Sequence, residues 1–348
     1  MKVPVARVDT LLTPAPPPAL ATERSPVTLK QIRQPVELDL KVFRETFRDS
    51  MRSRVRLLDT VVQYILRQKG KEIRPTLVLL SAQLAGGVTD RSYRAAALVE
   101  LLHTATLVHD DVVDESDTRR GMASINALWK NKVGVLLGDY LLSRGLLLAL
   151  DAGDADLLHV VSDAVRRMSE GELLQIEKAR KLDITEASYF RIISDKTASL
   201  IAACMALGAL SADASPAAIE RAKAVGESLG LAFQIRDDLF DYDGIDIGKP
   251  IGLDLQERKM TLPLIAALDG ATTADRSRIR RLVRKRKKRS ADIREIATFV
   301  EENGGLTYAR SRMDALAAEA SEGLLTFPPS DARDALVDLC RYVVARKR

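Results

Sequence analysis

The sequence predicts an all-α fold, a single large helical bundle around a central cavity, on three observations. From about residue 38 onward, apolar residues recur at helical spacing nearly everywhere, without the alternation that marks strands. Of the 348 residues 46% are apolar, which is enough for a substantial core. Two aspartate clusters of equal spacing adjoin such helical stretches, and bundles form their sites between facing helices.

The expected helices follow from their start and stop signals. Pro75 opens a stretch that ends at Gly86 and Gly87, because proline favours a helix start and glycine a helix end. The next helix should run from Ser92 to Asp114 with a buried stripe of aliphatic and small residues. Further helices are expected near residues 131–151, 155–180, 185–210, 216–241, 260–268, 291–302, 305–322 and 330–346.

The first 35 residues differ in composition from the rest. Residues 1–35 are rich in proline and show little periodicity, which predicts a disordered arm. Residues 36–348 are expected to form one all-helical domain.

Composition limits the partners and the compartment. Aromatic residues make up only 4% of the chain, so base-stacking surfaces are scarce and nucleic acid is not expected as a partner. The only cysteines, Cys204 and Cys340, indicate neither a disulfide framework nor a thiolate metal site. No uninterrupted apolar run reaches spanning length, and the N-terminus lacks the order of a signal peptide. The expected location is the cytoplasm.

The net charge of +5 is uneven, and much of it lies in residues 276–289, which read RSRIRRLVRKRKKR. Two interpretations remain open for this run. It can be a solvated helix face or loop, or it can make a peripheral contact with anionic lipid headgroups.

The two aspartate clusters are the strongest functional signal. In a helix, residues four apart share a face, so the first and last aspartates of each cluster point the same way. Such charges in an interior cleft require a cation, and oxygen ligands favour Mg²⁺, which takes one or two carboxylates plus substrate phosphates. A di-iron site built on Glu100 and His103 fails, because no second Glu-x-x-His occurs. The clusters are Asp110-Asp111-Val112-Val113-Asp114 and Asp237-Asp238-Leu239-Phe240-Asp241.

Five further motifs accompany the clusters in a fixed order. They are Gly70-Lys71-Glu72-Ile73-Arg74-Pro75, Arg119-Arg120-Gly121, Lys196-Thr197, Gln234-Ile235-Arg236 and Gly248-Lys249-Pro250. With them the chain resembles trans-type isoprenyl diphosphate synthases of the polyprenyl synthetase family over about residues 35–348. The resemblance implies the isoprenoid synthase type of bundle, a homodimer, and Mg²⁺-dependent head-to-tail condensation of isopentenyl diphosphate with an allylic diphosphate.

The resemblance also implies roles for individual residues. Three Mg²⁺ ions would be bound by Asp110, Asp114 and Asp237, with support from Asp111, Asp238 and Asp241. The allylic diphosphate would be held by Arg119, Lys196 and Lys249, with Lys259 as a weaker candidate, and isopentenyl diphosphate by Lys71, Arg74, His103 and Arg120. Lys196, Thr197 and Gln234 would orient the substrate and stabilise developing positive charge. Arginine suits bidentate phosphate recognition, whereas lysine acts as a point charge.

Product length should depend on the residues below the first cluster. Short-chain members of the family commonly carry a bulky aromatic five or four residues before the first aspartate, where this chain has Ala105 and Thr106. The small Ala105 should let the product pass toward Leu101 and Leu102, about one turn further down. The segment from Glu100 to Asp117 resembles long-chain bacterial synthases of the octaprenyl or solanesyl type, whose products become quinone side chains. A geranylgeranyl or farnesyl diphosphate synthase is the alternative.

Two other functions can be weighed from the residues. A class I terpene cyclase normally has a second motif of the Asn/Asp-Ser/Thr-Glu kind and an aromatic cavity, and this chain has neither. A non-catalytic subunit of a two-component synthase tends to lose an aspartate cluster, and both are intact. The basic segment at residues 345–348 is expected to be a frayed terminus, with folding over the isopentenyl site as the alternative.

Overall fold

The computed structural model describes residues 27–68, 70–119, 121–181, 183–242 and 252–346. Within these ranges it contains sixteen α-helices and one short β-hairpin. The elements are α1 (Leu29–Arg33), α2 (Glu37–Ser50), α3 (Arg56–Arg67), α4 (Ile73–Ala85), α5 (Asp90–Val113), β1 (Thr118–Arg119), β2 (Met122–Ala123), α6 (Ile125–Leu150), α7 (Ala155–Lys181), α8 (Glu186–Ile193), α9 (Ser199–Ser211), α10 (Pro216–Phe240), α11 (Leu253–Gln256), α12 (Leu262–Asp269), α13 (Thr273–Arg284), α14 (Ser290–Glu302), α15 (Gly305–Leu325) and α16 (Asp331–Ala345).

The prediction of an all-α fold is confirmed, and the expected helices recur within a few residues of their expected ends, except that α6, expected from 131, begins at Ile125 and has non-helical backbone at Lys130. Three further features were not part of that expectation. The stretch expected as one helix at 185–210 is interrupted by a π-helical turn, Ser194–Ala198, between α8 and α9. Helix α13 covers most of the basic run, for which a helix face or a loop had been left open, and the hairpin β1–β2 was not anticipated.

The expectation that the disordered N-terminal arm extends to residue 35 is wrong for the last residues of that range. Residues Leu29–Arg33 form helix α1, which Thr28 and Gln31 cap reciprocally. Ile32 is 1% exposed and packs into the main core. The arm prediction for residues 1–26 falls outside the described part of the chain.

Helix α9 lies at the centre of the bundle. It is apolar on all sides and almost entirely buried, as expected of a helix with neighbours all around it. It packs against α4, α5, α7 and α10. Gly208 permits the backbones of α9 and α4 to approach closely, because a Cβ there would lie 2.2 Å from the carbonyl oxygen of Val78 in α4.

The packing on α9 brings three chain segments to one end of the bundle. Ser211, at the end of α9, donates to Ser92 near the start of α5 at 2.8 Å, so the two helices run in opposite directions. Ala198, just before α9, contacts Gly230 in the second half of α10. The C-terminal ends of α5 and α10, which carry the aspartate clusters, therefore lie toward the start of α9.

Two stretches of the described chain are long and apolar enough to cross a membrane by length and composition alone. One, Glu186–Ser211, is mostly buried inside the protein and includes the central helix. The other is α6, which is one-third buried and presents several aliphatic side chains on its surface. The first is thus a core helix, and the second has an apolar outer face.

Candidate active site

The first aspartate cluster divides into two kinds of carboxylate at the end of α5. Partial burial raises the pKa of Asp110, and the neighbouring Asp114 and Glu172 raise it further, while Lys196 and Arg119 oppose this. Asp110 and Asp114 are thus close enough to repel each other, as their spacing predicts.

Asp111 instead turns into the protein, where a β-hairpin supplies its partner. The side chain of Asp111 is 4% exposed, and Arg119 on β1 contacts its Oδ1 through Nε at 2.8 Å and Nη2 at 2.5 Å. The turn of the hairpin contains Gly121 at φ 76°, a conformation that favours glycine. The hairpin therefore folds Arg119 back against the helix end that carries Asp110.

The second cluster is organised around the buried Asp238 at the end of α10. The hydroxyl of Tyr189 donates to its Oδ2 at 2.7 Å, and Nε2 of Gln234 donates to its Oδ1 at 2.8 Å. Burial raises the pKa of Asp238 to about 7. The hydroxyl of Thr197 donates to Oε1 of Gln234 at 2.8 Å, which fixes the orientation of the amide. Thr197 and Gln234, predicted together, are thus in direct contact, while Asp241 caps the end of α10.

Asp237 is paired with an arginine from the last described residues. Arg346 donates to Asp237 Oδ1 and to the carbonyl oxygen of Phe233, and its guanidinium lies 4.0 Å from the ring centre of Phe233. The carbonyl oxygen of Arg346 accepts two bonds from Arg236 at 2.9 and 3.2 Å. The side chain of Arg346 is only 8% exposed, so the expectation of a frayed terminus is wrong at this residue. Residues 347–348 lie outside the described chain.

Lys196 extends from the π-helical turn toward helix α7. Its Nζ lies 2.5 Å from Oε2 of Glu172 and 3.3 Å from Oε1 of Gln175. The turn is defined by a bond from the amide of Ser199 to the carbonyl of Ser194, five residues earlier. Such turns often occur at functional sites, because the extra residue re-aims the side chains around it.

A half-buried arginine on α7 ties this turn to its neighbours. Arg167 donates to Asp195 at 2.8 Å, to the hydroxyl of Ser194 at 2.7 Å and to Glu227 of α10 at 3.1 Å. One side chain therefore ties together α7, the turn and α10.

Two of the four predicted isopentenyl residues lie at the start of α4. Lys71 comes just before Glu72, the N-cap, and Arg74 is the second residue of the helix. Glu72 is held by Arg44 through two bonds of 2.8 and 2.9 Å, although its φ of 43° is unusual for a residue with a side chain. Lys71 is near enough to Asp237 to lower the pKa of that carboxyl against the larger effect of burial. His103 is buried in α5, and Arg120 lies outside the described residues.

The weaker allylic candidate, Lys259, does lie at the site. Its Nζ contacts Asp254 at 3.2 Å and Glu257 at 2.7 Å. Lys249 falls outside the described residues.

A cavity of about 80 Å³ adjoins the second cluster. Its lining combines polar and apolar side chains, as suits an amphiphilic ligand. The polar residues include Gln175, Lys196, Thr197, Gln234, Asp238, Asp254 and Lys259, and the apolar ones include Ile184, Ile192, Ile193 and Met260.

Four of the polar residues at the site were missed from the sequence. Asp254 is close enough to Asp237 and Asp238 to raise the pKa of both carboxyls. Glu172 and Gln175 lie one turn apart on α7, a spacing that could have indicated a shared polar face. The sequence around Tyr189 contains no motif that indicated a role for this residue.

The predicted chain-length residues lie beneath the first cluster. Ala105 is 3% exposed and belongs to an apolar cluster with Leu101, Leu137 and Leu141, between α5 and α6. Leu102 faces the main core instead, and Thr106 is half-buried on α5.

The carboxylates fit a hard cation that shares its ligands with a phosphate. Among the described residues, no three acidic, histidine or cysteine side chains gather closely enough to bind a metal alone. Because Asp111 is paired with Arg119, Asp110 and Asp114 are the carboxylates of the first cluster that suit a cation. Two carboxylates with substrate oxygens are the usual arrangement for Mg²⁺.

The helical bundle, with both aspartate clusters toward one end of it, defines an all-α enzyme of the isoprenoid synthase type. Residues 55–300 match the model of the polyprenyl synthetase family, described as "Polyprenyl synthetase". The chain belongs to this family and is an enzyme of the prenyltransferase class.

Three relatives illustrate the similarity. Octaprenyl diphosphate synthase of Escherichia coli (strain K12) is 36% identical over 92% of this chain and 100% of its own. A short chain isoprenyl diphosphate synthase of Methanothermobacter thermautotrophicus is 35% identical over 82% of this chain and 89% of its own. The crystal structure of a polyprenyl synthase from Caulobacter crescentus CB15, complexed with calcium and isoprenyl diphosphate, superposes with a TM-score of 0.84. It is 33% identical and covers 93% of this chain and 100% of the other.

Proposed function

We propose that the protein catalyses Mg²⁺-dependent head-to-tail condensation of isopentenyl diphosphate with an allylic diphosphate, giving a long all-trans polyprenyl diphosphate. The observation that carries the proposal is the convergence of both aspartate clusters with Lys196 at one end of the bundle. Carboxylates attract a metal cation but repel a phosphate. The cationic side chains nearby supply the attraction for the phosphate. Together they suit a metal-bound diphosphate.

Asp110, Asp114 and Asp237 are the proposed metal ligands, with three Mg²⁺ ions in all. Bound Mg²⁺ would neutralise the charge of the departing diphosphate. Asp111 is assigned an indirect role, since it already holds Arg119, and Asp238 and Asp241 support the second cluster. Arg346 contacts only Oδ1 of Asp237, so Oδ2 is the oxygen proposed to bind the metal.

The allylic diphosphate is proposed to lie against Arg119, Lys196 and Lys249, with Lys259 at the edge. Lys196 can exchange Glu172 for a phosphate oxygen, because both are anionic acceptors. Isopentenyl diphosphate would bind at the start of α4, where Lys71, Arg74 and free backbone N–H groups attract an anion, together with His103 and Arg120.

Thr197 and Gln234 are proposed to face the carbon from which the allylic diphosphate departs. When that C–O bond breaks, a carbocation forms, and the π electrons of isopentenyl diphosphate form the new C–C bond. Oxygen atoms of Thr197 and Gln234 carry lone pairs that stabilise the positive charge, and Asp238 holds the Gln234 amide in place. The departed diphosphate accepts the proton that is then lost.

A long product, such as an octaprenyl chain for a quinone side chain, is proposed from the small Ala105 beneath the first cluster. An aromatic side chain at this position would fill the space between α5 and α6. The Escherichia coli relative is named for an octaprenyl product, which agrees with this proposal. Because another relative is named as a short chain synthase, geranylgeranyl or farnesyl diphosphate is the alternative product.

We further propose that the enzyme is a cytoplasmic homodimer, joined through the outer face of α6. That helix exposes a row of aliphatic side chains, which a single subunit would leave in water. They are Leu128, Val135, Leu136, Leu147 and Leu150. Light scattering after gel filtration should show a dimer for the native chain and for Leu325→Glu, but a monomer for Leu136→Glu. Leu136 and Leu325 are each 59% exposed, so the two variants introduce the same charge at equally exposed positions on different helices.

The proposed activity is tested by incubating the protein with Mg²⁺, isopentenyl diphosphate and a farnesyl or geranyl primer. Chromatography of the dephosphorylated products should show linear polyprenols of about eight isoprene units. Chains of three or four units would assign the short-chain alternative. A cyclic hydrocarbon, or no product, would overturn the proposed reaction.

A further inference from the structure

Helix α13 and the turn after it carry an exposed cluster of cations that the proposed reaction does not use. We define the basic face as Arg280, Arg281, Arg284, Arg286 and Lys287, all of them exposed. Within the described residues, no carboxylate forms an ion pair with any of the five. The flanking Arg278 and Arg289, in contrast, are paired with Glu295 and Asp292.

The packing of α13 fixes the direction in which the basic face points. Ile279, Leu282 and Val283 form the buried stripe of the helix, so the arginines between them project outward. Arg280 and Arg284 are four residues apart and repel each other. A surface that serves only solubility usually mixes positive and negative side chains. On the basic face, the described chain places no carboxylate that would offset the repulsion between the arginines.

A chain of contacts links the end of the basic face to the helix that lines the cavity of the candidate site. Lys288, next to the basic face, is 8% exposed and packed inward, and its Nζ donates to the carbonyl of Lys285 at 3.0 Å. The carbonyl of Lys288 accepts from Nε2 of Gln256 at 3.5 Å. Gln256 ends α11, the helix that presents Asp254 to the cavity. The segment that carries the basic face is thus in direct contact with the helix that lines the cavity.

We propose that the basic face docks the enzyme on the anionic surface of a lipid bilayer. Clusters of lysine and arginine are attracted to such surfaces by charge alone, without insertion of apolar side chains, and the basic face has none to insert. Nucleic acid fits less well, because residues 276–289 contain no aromatic side chain on which a base could stack. If the proposed function holds, docking beside the cavity brings a water-insoluble product close to the membrane that must receive it.

The test is co-sedimentation of the full-length chain with vesicles, without Mg²⁺ or substrates. Vesicles of phosphatidylcholine alone are compared with vesicles containing one-third phosphatidylglycerol, at low salt and in 0.5 M NaCl. The test variant is R280Q/R281Q/R284Q. The control, K41Q/R48Q/R54Q, removes three exposed cations from α2 and the loop after it, so both variants lose the same net charge. Circular dichroism checks that both are folded.

The native chain should bind only the anionic vesicles, and salt should abolish the binding by screening. Each cation at the surface contributes about fivefold in affinity, so the test variant should bind about 100-fold more weakly. The control should bind within a few-fold of the native chain. Absence of binding by the native chain, equal loss in the two variants, or binding to single-stranded RNA but not to vesicles would overturn the proposal. Because no substrate is present, failure here is separate from failure of the prenyl-transfer assay.

Discussion

Gly171 on α7 packs closely against the π-helical turn of the candidate site. A Cβ at Gly171 would lie 2.8 Å from the backbone nitrogen of Lys196 and 3.0 Å from Cβ of Asp195. Backbone atoms cannot rotate away as the tip of a flexible side chain can. In Gly171→Ala, the turn that carries Lys196 and Thr197 must therefore shift by several tenths of an ångström.

Two opposing effects decide the expected magnitude for Gly171→Ala. Alanine in place of glycine inside a helix should stabilise the protein by about 0.5–1 kcal/mol. Overpacking of a tight contact costs about 1–3 kcal/mol, so the net effect is destabilising. Because catalytic groups displaced by about 1 Å can lose a factor of 100 in rate, a shift of this size should lower kcat by roughly tenfold.

Gly145→Ala is a matched control for this prediction. Gly145 is also buried within a long helix, α6, but a Cβ there would first meet a leucine methyl at 3.4 Å, an ordinary contact. Urea unfolding and steady-state prenyl transfer should show loss of stability and of kcat for Gly171→Ala alone. Equal behaviour of the two variants in both measurements would refute the argument that α7 positions the turn.

Three further changes have defined expected results. Ala105→Phe should shorten the product, since the side chain fills the cluster beneath Asp110; an unchanged product distribution by chromatography would contradict this. Arg119→Gln should lower the free energy of unfolding by about 3 kcal/mol, because it strands a buried carboxylate, and adding Asp111→Asn should recover part of the loss in urea unfolding. Burial raises the pKa of both Cys204 and Cys340 to about 12, so at pH 8 both remain protonated. A disulfide reagent should accordingly find no fast-reacting thiol in the native protein and two in denaturant.

The helices could be predicted because their signals are local. Helix α14 was expected at 291–302 and is found at Ser290–Glu302, since its apolar stripe is unbroken. Helix α13 was left undecided between a helix and a loop because charged residues outnumber the three apolar residues of its stripe. Helix α1 was missed within the proline-rich start, although Thr28 and Gln31 form a capping box that could have been recognised.

The site was predictable only where residues belong to an ordered motif. Thr197 and Gln234 were grouped from the sequence, and they share a hydrogen bond across two helices. Tyr189 and Glu172 reach the same place through the packing of α7, α8 and α10, which no spacing in the sequence reveals. The pairing of Arg346 with Asp237 likewise joins residues 109 positions apart.

The π-helical turn also fixes the number of residues that can lie between α8 and α9. A regular α-helix turns by about 100° for each residue, so the extra residue in the turn offsets α8 from α9 by about that angle. Deleting one residue at the turn would restore regular helix and improve the local hydrogen bonding. It would also rotate α8 about its axis, so that Tyr189 could no longer face Asp238 while α9 kept its place in the core. The angular phase between the two helices is thus set by a single inserted residue, and the segment can neither lose nor gain one without uncoupling the core from the site.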